Sequence, residues 1–388
     1  MTTLHVTNGD CAADTLRRIV DDPVTIMADV LHEGPCPPID GDAWHEVRAR
    51  FLASDGGTTV DEVKATLAGW DQAIADACMR SATASAERHD IVLWFEHDLF
   101  DQLALIRTLD LIVRLKPDPT DITGVSFATP IARLKPDTAV VSATETGTIG
   151  GPSEPQVVSG FSRTSPRVSL ICIGSFPGID RFVGLGQLTA EQLATLEGTG
   201  VPVIAGHFAL ARDAWRAFRS PDPAELLDLT RQLDAARVAS SEGGPALPFL
   251  GDALLRFLAE FPSVANGLSR TEELALRALL DGAATAGALF GATQSSEERP
   301  FMGDLRFFDI LERLASGRVP LITIDAGTGE AGRRERRVAI TDAGRDVLAN
   351  RADYVRLNGI DLWRGGVHLT GSDNSPWRWD ARAETLVS

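Results

Sequence analysis

Three titratable side chains stand next to one another after an apolar run in the first half of the chain: Glu96, His97 and Asp98. A histidine changes charge near neutral pH and an adjacent carboxylate can orient its ring, so this triplet could perform general acid–base catalysis. The same groups could instead bind a divalent cation, together with Asp10 or Glu33. A further interpretation is that Asp98 only caps the helix that follows. The predicted catalytic residues are Glu33, Glu96, His97 and Asp98, and the sequence leaves open whether a divalent cation is bound.

Polar residues and glycines also follow other apolar runs. The first run leads into His5-Val6-Thr7-Asn8-Gly9-Asp10, where the N-terminus of the next helix could receive an anion. This turn has a single glycine, so it matches neither a dinucleotide fingerprint nor a phosphate-binding loop. The fourth run leads into a glycine-rich loop whose backbone could approach a ligand closely. The predicted ligand-binding residues are His5, Asn8, Gly9, Asp10, Gln102, Gly184 and Gly186.

Four short apolar runs predict the strands that carry these residues, and helix-like sequence separates them. Strands that alternate with helices predict an α/β fold with a mostly parallel, Rossmann-like sheet. Because ligand crevices lie at the carboxyl ends of such strands, we expect the polar residues to share one site. The predicted strands are Leu4–Thr7, Val24–Leu31, Ile91–Phe95 and Val168–Ile173.

A polar segment at 114–167 interrupts this pattern. It contains RLKPD twice and is rich in Pro, Thr, Ser and Gly. Such sequence has little apolar surface to bury, so we predict a disordered insertion within a first domain that spans 1–248.

The region 249–388 is predicted to be a second domain. Its sequence indicates helices at Arg270–Leu280, Thr285–Ala292 and Asp304–Ala315, then a strand at Val319–Ile324 and a second strand beyond a polar turn. Three helices followed by two strands is the order of a winged helix, which can bind DNA. The tentative nucleic-acid contacts are the arginines of the turn, Arg333, Arg334, Arg336 and Arg337.

Composition limits the protein class and its partners. With 44% hydrophobic and 23% charged residues, the chain is typical of globular proteins. The net charge of −17 opposes attraction to nucleic acid and to anionic membranes. The sequence shows no export signal and no long apolar run, and its four cysteines are far apart. We therefore expect a cytoplasmic protein with no membrane partner.

Several strings together resemble a bacterial family known as domain of unknown function 1835, in its long form. They are HVTNGD, LHEGP, LWFEHDLFDQL and LICIGSFPGIDRFVGLGQLT, with LSRTEELALRALL, ERPFMGD and LNGIDLWRGGVHL further along the chain. The resemblance implies no mechanism. It implies motif positions for His5, Asn8, Asp10, Glu33, Glu96, His97, Asp98 and Gln102.

Two functions of different class are consistent with these features. In the first, the α/β domain binds a small anionic or nucleotide-like ligand, and the winged-helix-like module couples binding to DNA or to a protein partner. In the second, the protein is a hydrolase or transferase with an acid–base or metal site at Glu96, His97 and Asp98. A third hypothesis, a scaffold for protein interactions, requires neither ligand nor metal.

Overall fold

The structure, a computed structural model, describes residues 2–55, 57–82, 89–115, 166–239, 247–325, 332–371 and 377–388. The predicted insertion and its repeat lie outside these residues, apart from two positions at each end. Within the described stretches, no helix combines the length and the apolar composition needed to cross a bilayer.

Five strands form the main sheet. They are β1 (Thr2–Thr7), β2 (Val24–Ile26), β3 (His89–Glu96), β4 (Val168–Ile173) and β5 (Val201–Pro202). The strand order is β2-β1-β3-β4-β5, with β1 to β4 parallel and β5 antiparallel to β4. The predicted mixed α/β fold with a mostly parallel sheet is therefore confirmed.

The register brings three strand ends to one edge of the sheet. Thr7 at the end of β1 pairs with Trp94, and Glu96 at the end of β3 pairs with Ile173 at the end of β4. The residues that follow these strands therefore start from neighbouring positions.

Two strands of the sheet are short, and one of them, β2, is shorter than the sequence predicted. β2 ends at Ile26 rather than Leu31, and the chain beyond it is held by a buried ion pair between Asp29 and Arg48. β5 has only two residues, and Pro202 has no N–H to donate to the ladder.

Helices cover both faces of the sheet. They are α1 (Asp10–Leu16), α2 (Gly41–Leu52), α3 (Val60–Ala82), α4 (Leu99–Arg114), α5 (Ala190–Ala194), α6 (Ala205–Phe218) and α7 (Ala224–Ala239). Side chains alternate across β3, so Trp94 faces one buried apolar cluster while Leu93 and Phe95 face the other. α4 is buried almost all round, as expected for a helix with apolar residues on every side.

The rest of the chain is mainly helical and ends in short strand pairs. Its helices are α8 (Leu250–Leu258), α9 (Arg270–Leu280), α10 (Ala286–Ser296), α11 (Asp304–Ser316), α12 (Asp342–Leu348) and α13 (Tyr354–Asn358). Its strands pair antiparallel as β6 (Ile322–Ile324) with β7 (Val338–Ile340), β8 (Ile360–Arg364) with β9 (Val367–Gly371), and β10 (Arg378–Asp380) with β11 (Thr385–Val387).

The boundary between the two predicted domains is crossed by the hydrophobic core. α8 packs against α4 and α7, and one continuous cluster of buried apolar side chains includes residues from both parts. The division into 1–248 and 249–388 stays a prediction.

Candidate functional site

Polar side chains from β1, β3 and α4 meet at the edge of the sheet where the parallel strands end. The side chain of Asn8, just after β1, donates from Nδ2 to Glu96 Oε1 at 3.0 Å and to Asp101 Oδ1 at 2.7 Å. Asp101 also accepts a hydrogen bond from the backbone N–H of Glu96 at 2.5 Å. One amide therefore joins two carboxyl groups that come from a strand end and a helix start.

The glycine-rich loop after β4 completes one side of this cluster. The N–H of Leu185 donates to Glu96 Oε1. Gly184 has a φ of 151°, and a Cβ atom there would collide with the carboxylate of Glu96. A residue without a side chain is thus required at position 184, because the loop backbone packs directly against Glu96.

Asp98 has a structural role as well as a place in the cluster. It is the N-cap of α4, and its Oδ1 accepts a hydrogen bond from the N–H of Asp101 at 2.9 Å. The capping interpretation is therefore confirmed. The ligating oxygens of Glu96, Asp98 and Asp101 all lie within 4.8 Å of one another, so capping does not separate Asp98 from the other two carboxyl groups.

The three carboxyl groups differ from most buried acids in lacking a basic partner. Among the described residues, nine acids are buried, and five of them pair with an arginine: Asp29, Asp110, Glu260, Glu272 and Glu297. The described residues offer no such ion pair to Glu33, Glu96, Asp98 and Asp101. Buried charge without a partner is expensive, so the cluster must hold protons or a cation.

Burial and mutual repulsion change the acidity of the cluster. Burial and the negative charge of Asp98 raise the pKa of Glu96 to about 8, although the hydrogen bonds from Leu185 and Asn8 act to lower it. Burial raises the pKa of Asp98 to about 7. Burial and the charges of the other two acids raise the pKa of Asp101 well above its usual value. These directions are those of carboxyl groups that retain protons at neutral pH.

His97 lies beside the cluster in an apolar setting. Its ring packs at 5.9 Å from the rings of both Phe182 and Phe249, and its Nδ1 is buried without a hydrogen-bond partner among the described residues. Burial and the charge of Arg299 lower the pKa of His97 to about 4. The imidazole is therefore neutral at pH 7 and can accept a hydrogen bond at its unprotonated ring nitrogen.

Gln102 contacts the backbone of the cluster rather than its carboxyl groups. Its Nε2 donates to the backbone oxygen of Glu96 at 2.5 Å and contacts the sulfur of Cys172 at 3.5 Å. This side chain is buried and connects the start of α4 to the ends of β3 and β4. Gly186 packs against Cys11, where a Cβ atom would come within 3.1 Å of the cysteine Cβ.

Three predicted ligand-binding residues do not join the cluster. His5 is buried in the sheet, where its Nδ1 accepts a hydrogen bond from the indole N–H of Trp94 at 2.9 Å. Gly9 is the N-cap of α1 with extended backbone, and Asp10 is exposed in the first turn of that helix. His5 thus has a structural role within the sheet, and Gly9 and Asp10 belong to the start of α1.

Glu33 belongs to a different neighbourhood. Its carboxyl group is buried, and the charges that act on it are those of Arg313, Arg364, Arg306 and Glu260, so burial raises its pKa and the arginines oppose the change. The adjacent His32 packs edge-on against Phe301 with ring centres 5.0 Å apart, and neither ring nitrogen has a partner among the described residues.

The four arginines of the polar turn are mostly paired with acids of α11. Arg333 contacts Asp309 at 2.7 Å and Glu312 at 3.0 Å, Arg334 contacts Asp304 at 2.7 Å, and Arg336 contacts Glu312 at 3.0 Å. Arg337 is exposed. The positive charge predicted to contact DNA is thus largely neutralised within the protein.

Two residues of the site were missed at the sequence level. Asp101 is not among the residues predicted above, although its spacing of three from Asp98 places both at the start of α4. Arg299, whose charge acts on His97 and Asp98, lies about 200 residues downstream. Only the string ERPFMGD gave any signal that this segment matters.

Comparison with known proteins adds no assignment. No protein-family model matches the chain, and no curated protein is significantly similar to it in sequence.

Proposed function

We propose that the chain is a divalent-cation-dependent hydrolase or transferase whose centre consists of Glu96, Asp98 and Asp101. The observation that supports this proposal is a cluster of three buried carboxyl groups within 4.8 Å that lacks a basic partner among the described residues. Carboxylate oxygens are the ligands that Mg²⁺ and Mn²⁺ prefer. A bound cation would supply the positive charge that arginine supplies to five other buried acids.

The neighbours of the cluster support a catalytic role for such a cation. A divalent cation activates a bound water and attracts an anionic substrate group. His97 is next in sequence to Glu96 and Asp98 and is neutral at pH 7, so it would accept a hydrogen bond from this water and orient it, although a pKa of about 4 makes it too weak a base to take the proton. The small anionic or nucleotide-like ligand predicted from the sequence would bind through the cation, because three carboxylates alone would repel an anion.

Titration of Mn²⁺ into the chelator-treated full-length chain tests this proposal. We expect one bound Mn²⁺ per chain, detected by calorimetry and by the electron paramagnetic resonance spectrum of the ion. Asp98→Asn should weaken binding by about tenfold or more, because asparagine keeps the helix cap but removes a charged ligand. Asp10→Asn is the matched control, since Asp10 also follows a strand end but is exposed outside the cluster.

Equal affinities in the wild type, Asp98→Asn and Asp101→Asn would overturn the metal assignment, and so would the absence of saturable binding. The second outcome would leave protonated carboxyl groups as the explanation of the cluster. A general acid with a raised pKa would then replace the cation in the proposed chemistry.

We further propose the finer fold and family assignments that the sequence suggested. The parallel order β2-β1-β3-β4 favours a doubly wound, Rossmann-like sheet, and the succession of α9, α10, α11, β6 and β7 favours a winged helix. The motif strings favour membership of the domain-of-unknown-function 1835 family. Because the acids of α11 neutralise most of the arginines, we propose that this module packs or binds protein rather than DNA. A cytoplasmic location stays a prediction.

A further inference from the structure

A cavity of about 510 Å³ lies within the C-terminal part of the chain, apart from the carboxylate cluster. Its volume falls in the range of small-molecule sites. Three acids and two arginines line it with a tyrosine: Glu260, Glu272, Asp361, Arg313, Arg364 and Tyr354. Asp361 and another lining residue, Ser316, are exposed, so the cavity opens to solvent.

The buried Arg48 shows how an arginine is satisfied elsewhere in this protein. It contacts the carboxylate of Asp29 at 2.6 to 3.1 Å, and it donates to the backbone oxygens of Val30, Glu33 and Pro35 at 2.8 to 3.2 Å. Every nitrogen of this guanidinium therefore has an oxygen partner.

Arg313 is not satisfied in this way. Its one hydrogen bond within the described residues joins Nη2 to Glu272 Oε1 at 3.3 Å, which is long for a charged pair. Its Nε is buried and has no partner there. Glu272 has another role, because its carboxylate accepts the backbone N–H of Ser269 at 2.8 Å in the capping box of α9.

Arg364 also keeps a donor unused. Its Nε donates to the backbone oxygen of Glu260 at 2.9 Å, but its Nη2 stays 4.0 Å from the carboxylate of the same residue. Arg256 and Thr271 both donate to the other oxygen of that carboxylate, Oε1, each at 2.7 Å. The Nη2 of Arg364 is therefore too far from Glu260 for a hydrogen bond.

Tyr354 adds a neutral donor to the same wall. The residue is buried, and burial raises the pKa of its hydroxyl group, so the group keeps its proton at neutral pH. No hydrogen bond of this hydroxyl is found within the described residues. Two guanidinium groups and one phenol thus present donors that the surrounding protein leaves underused.

We propose that this cavity binds the carboxylate or phosphate group of a small metabolite through Arg313, Arg364 and Tyr354. An anionic group with several lone pairs suits converging guanidinium and hydroxyl donors, and arginine binds both groups through paired hydrogen bonds. The lining acids outnumber the two arginines by one, so the ligand is recognised by donors in a fixed geometry rather than by the net charge of the cavity. Glu33, on which the charges of both arginines act, lies near this site.

Calorimetric titration of the full-length chain with inorganic phosphate and, separately, with succinate tests the proposal. The chain is first freed of bound cations with a chelating resin and is titrated without divalent cations, so that no cation at the carboxylate cluster can recruit either anion. Saturable binding of one anion per chain is expected, and the stronger of the two probes distinguishes a phosphate from a carboxylate ligand. Asp98→Asn should leave this binding unchanged, because Asp98 lies outside the cavity.

Arg313→Gln should weaken the binding of the preferred probe by about tenfold or more, and Tyr354→Phe by a few-fold, through the loss of a charged and a neutral donor respectively. Tyr354→Phe keeps the proposal testable if Arg313→Gln fails to fold, since it preserves the shape of the core. The control is Arg382→Gln, which removes an exposed arginine far along the chain. Absence of saturable binding of both probes would overturn the proposal, as would equal weakening by the control variant.

Discussion

His32 gives the clearest prediction of how stability depends on pH. Its side chain is 2% exposed, and burial lowers its pKa from 6.5 to about 3. Between about pH 3 and pH 6.5, His32 therefore stays neutral in the folded protein but is protonated in the unfolded chain. Stability is full above pH 6.5 and falls as the medium is acidified. Each pH unit below it costs about 1.4 kcal/mol until the folded pKa is reached, so the loss between about pH 8 and about pH 5 is about 2 kcal/mol.

The measurement compares the wild type with His32→Phe in urea unfolding at both pH values, followed by tryptophan fluorescence. Other titrating groups contribute to each protein alike, so the difference between the two proteins isolates His32. We expect the free energy of unfolding of the wild type, relative to His32→Phe, to be about 2 kcal/mol lower at about pH 5 than at about pH 8. His32→Gln serves the same comparison if the larger ring does not fit.

Phe100 provides the matched control, because its ring lies 6.2 Å from that of His32 and carries no titratable group. Phe100→Leu should keep the pH dependence of the wild type. If the difference between wild type and His32→Phe were the same at both pH values, His32 would take up its proton in the folded state. The inference that its two ring nitrogens are enclosed without partners would then be wrong.

Two further predictions concern the carboxylate cluster and the polar turn. Gly184→Ala should lower the free energy of unfolding by about 1–3 kcal/mol and weaken Mn²⁺ binding, because the new methyl group would collide with Glu96 at a positive φ; an unchanged melting temperature and affinity would show that the loop is not held as described. The wild-type chain should give no salt-sensitive mobility shift with duplex DNA. A shift that disappears when all four arginines of the turn become alanine would refute that expectation; these residues are Arg333, Arg334, Arg336 and Arg337.

The sequence predicted the parts of the fold that depend on local pattern. The runs that became β1, β3 and β4 are apolar and bounded by turn residues, and Asp98 carries the ordinary signal of a helix start. From these, the meeting of Asn8 with Glu96 followed through the general geometry of parallel sheets. Gly184 was predicted at the same edge because its loop follows the fourth predicted strand.

The sequence could not predict which polar residues would lie away from the edge where the parallel strands end. Glu33 was grouped with the cluster because an apolar run precedes it, yet β2 ends early and the buried pair of Asp29 with Arg48 holds the following segment elsewhere. Arg299 comes close enough for its charge to act on His97 and Asp98 only through tertiary packing of the distant C-terminal part. Local sequence periodicity predicts neither the position of Glu33 nor that of Arg299.

The unpaired acids themselves argue that the cluster has a function beyond structure. A fold that needed only to cap α4 would require one acid there, and Asp98 meets that need alone. Adding Glu96 and Asp101 within 4.8 Å introduces repulsion that an asparagine or glutamine would avoid. Elsewhere in the described residues, arginine balances buried carboxylates such as Asp29, so the chain does have the means to neutralise such charge. Because the cluster carries this energetic cost, its simplest explanation is a bound cation or a carboxyl proton that takes part in the reaction. The Mn²⁺ titration distinguishes the two.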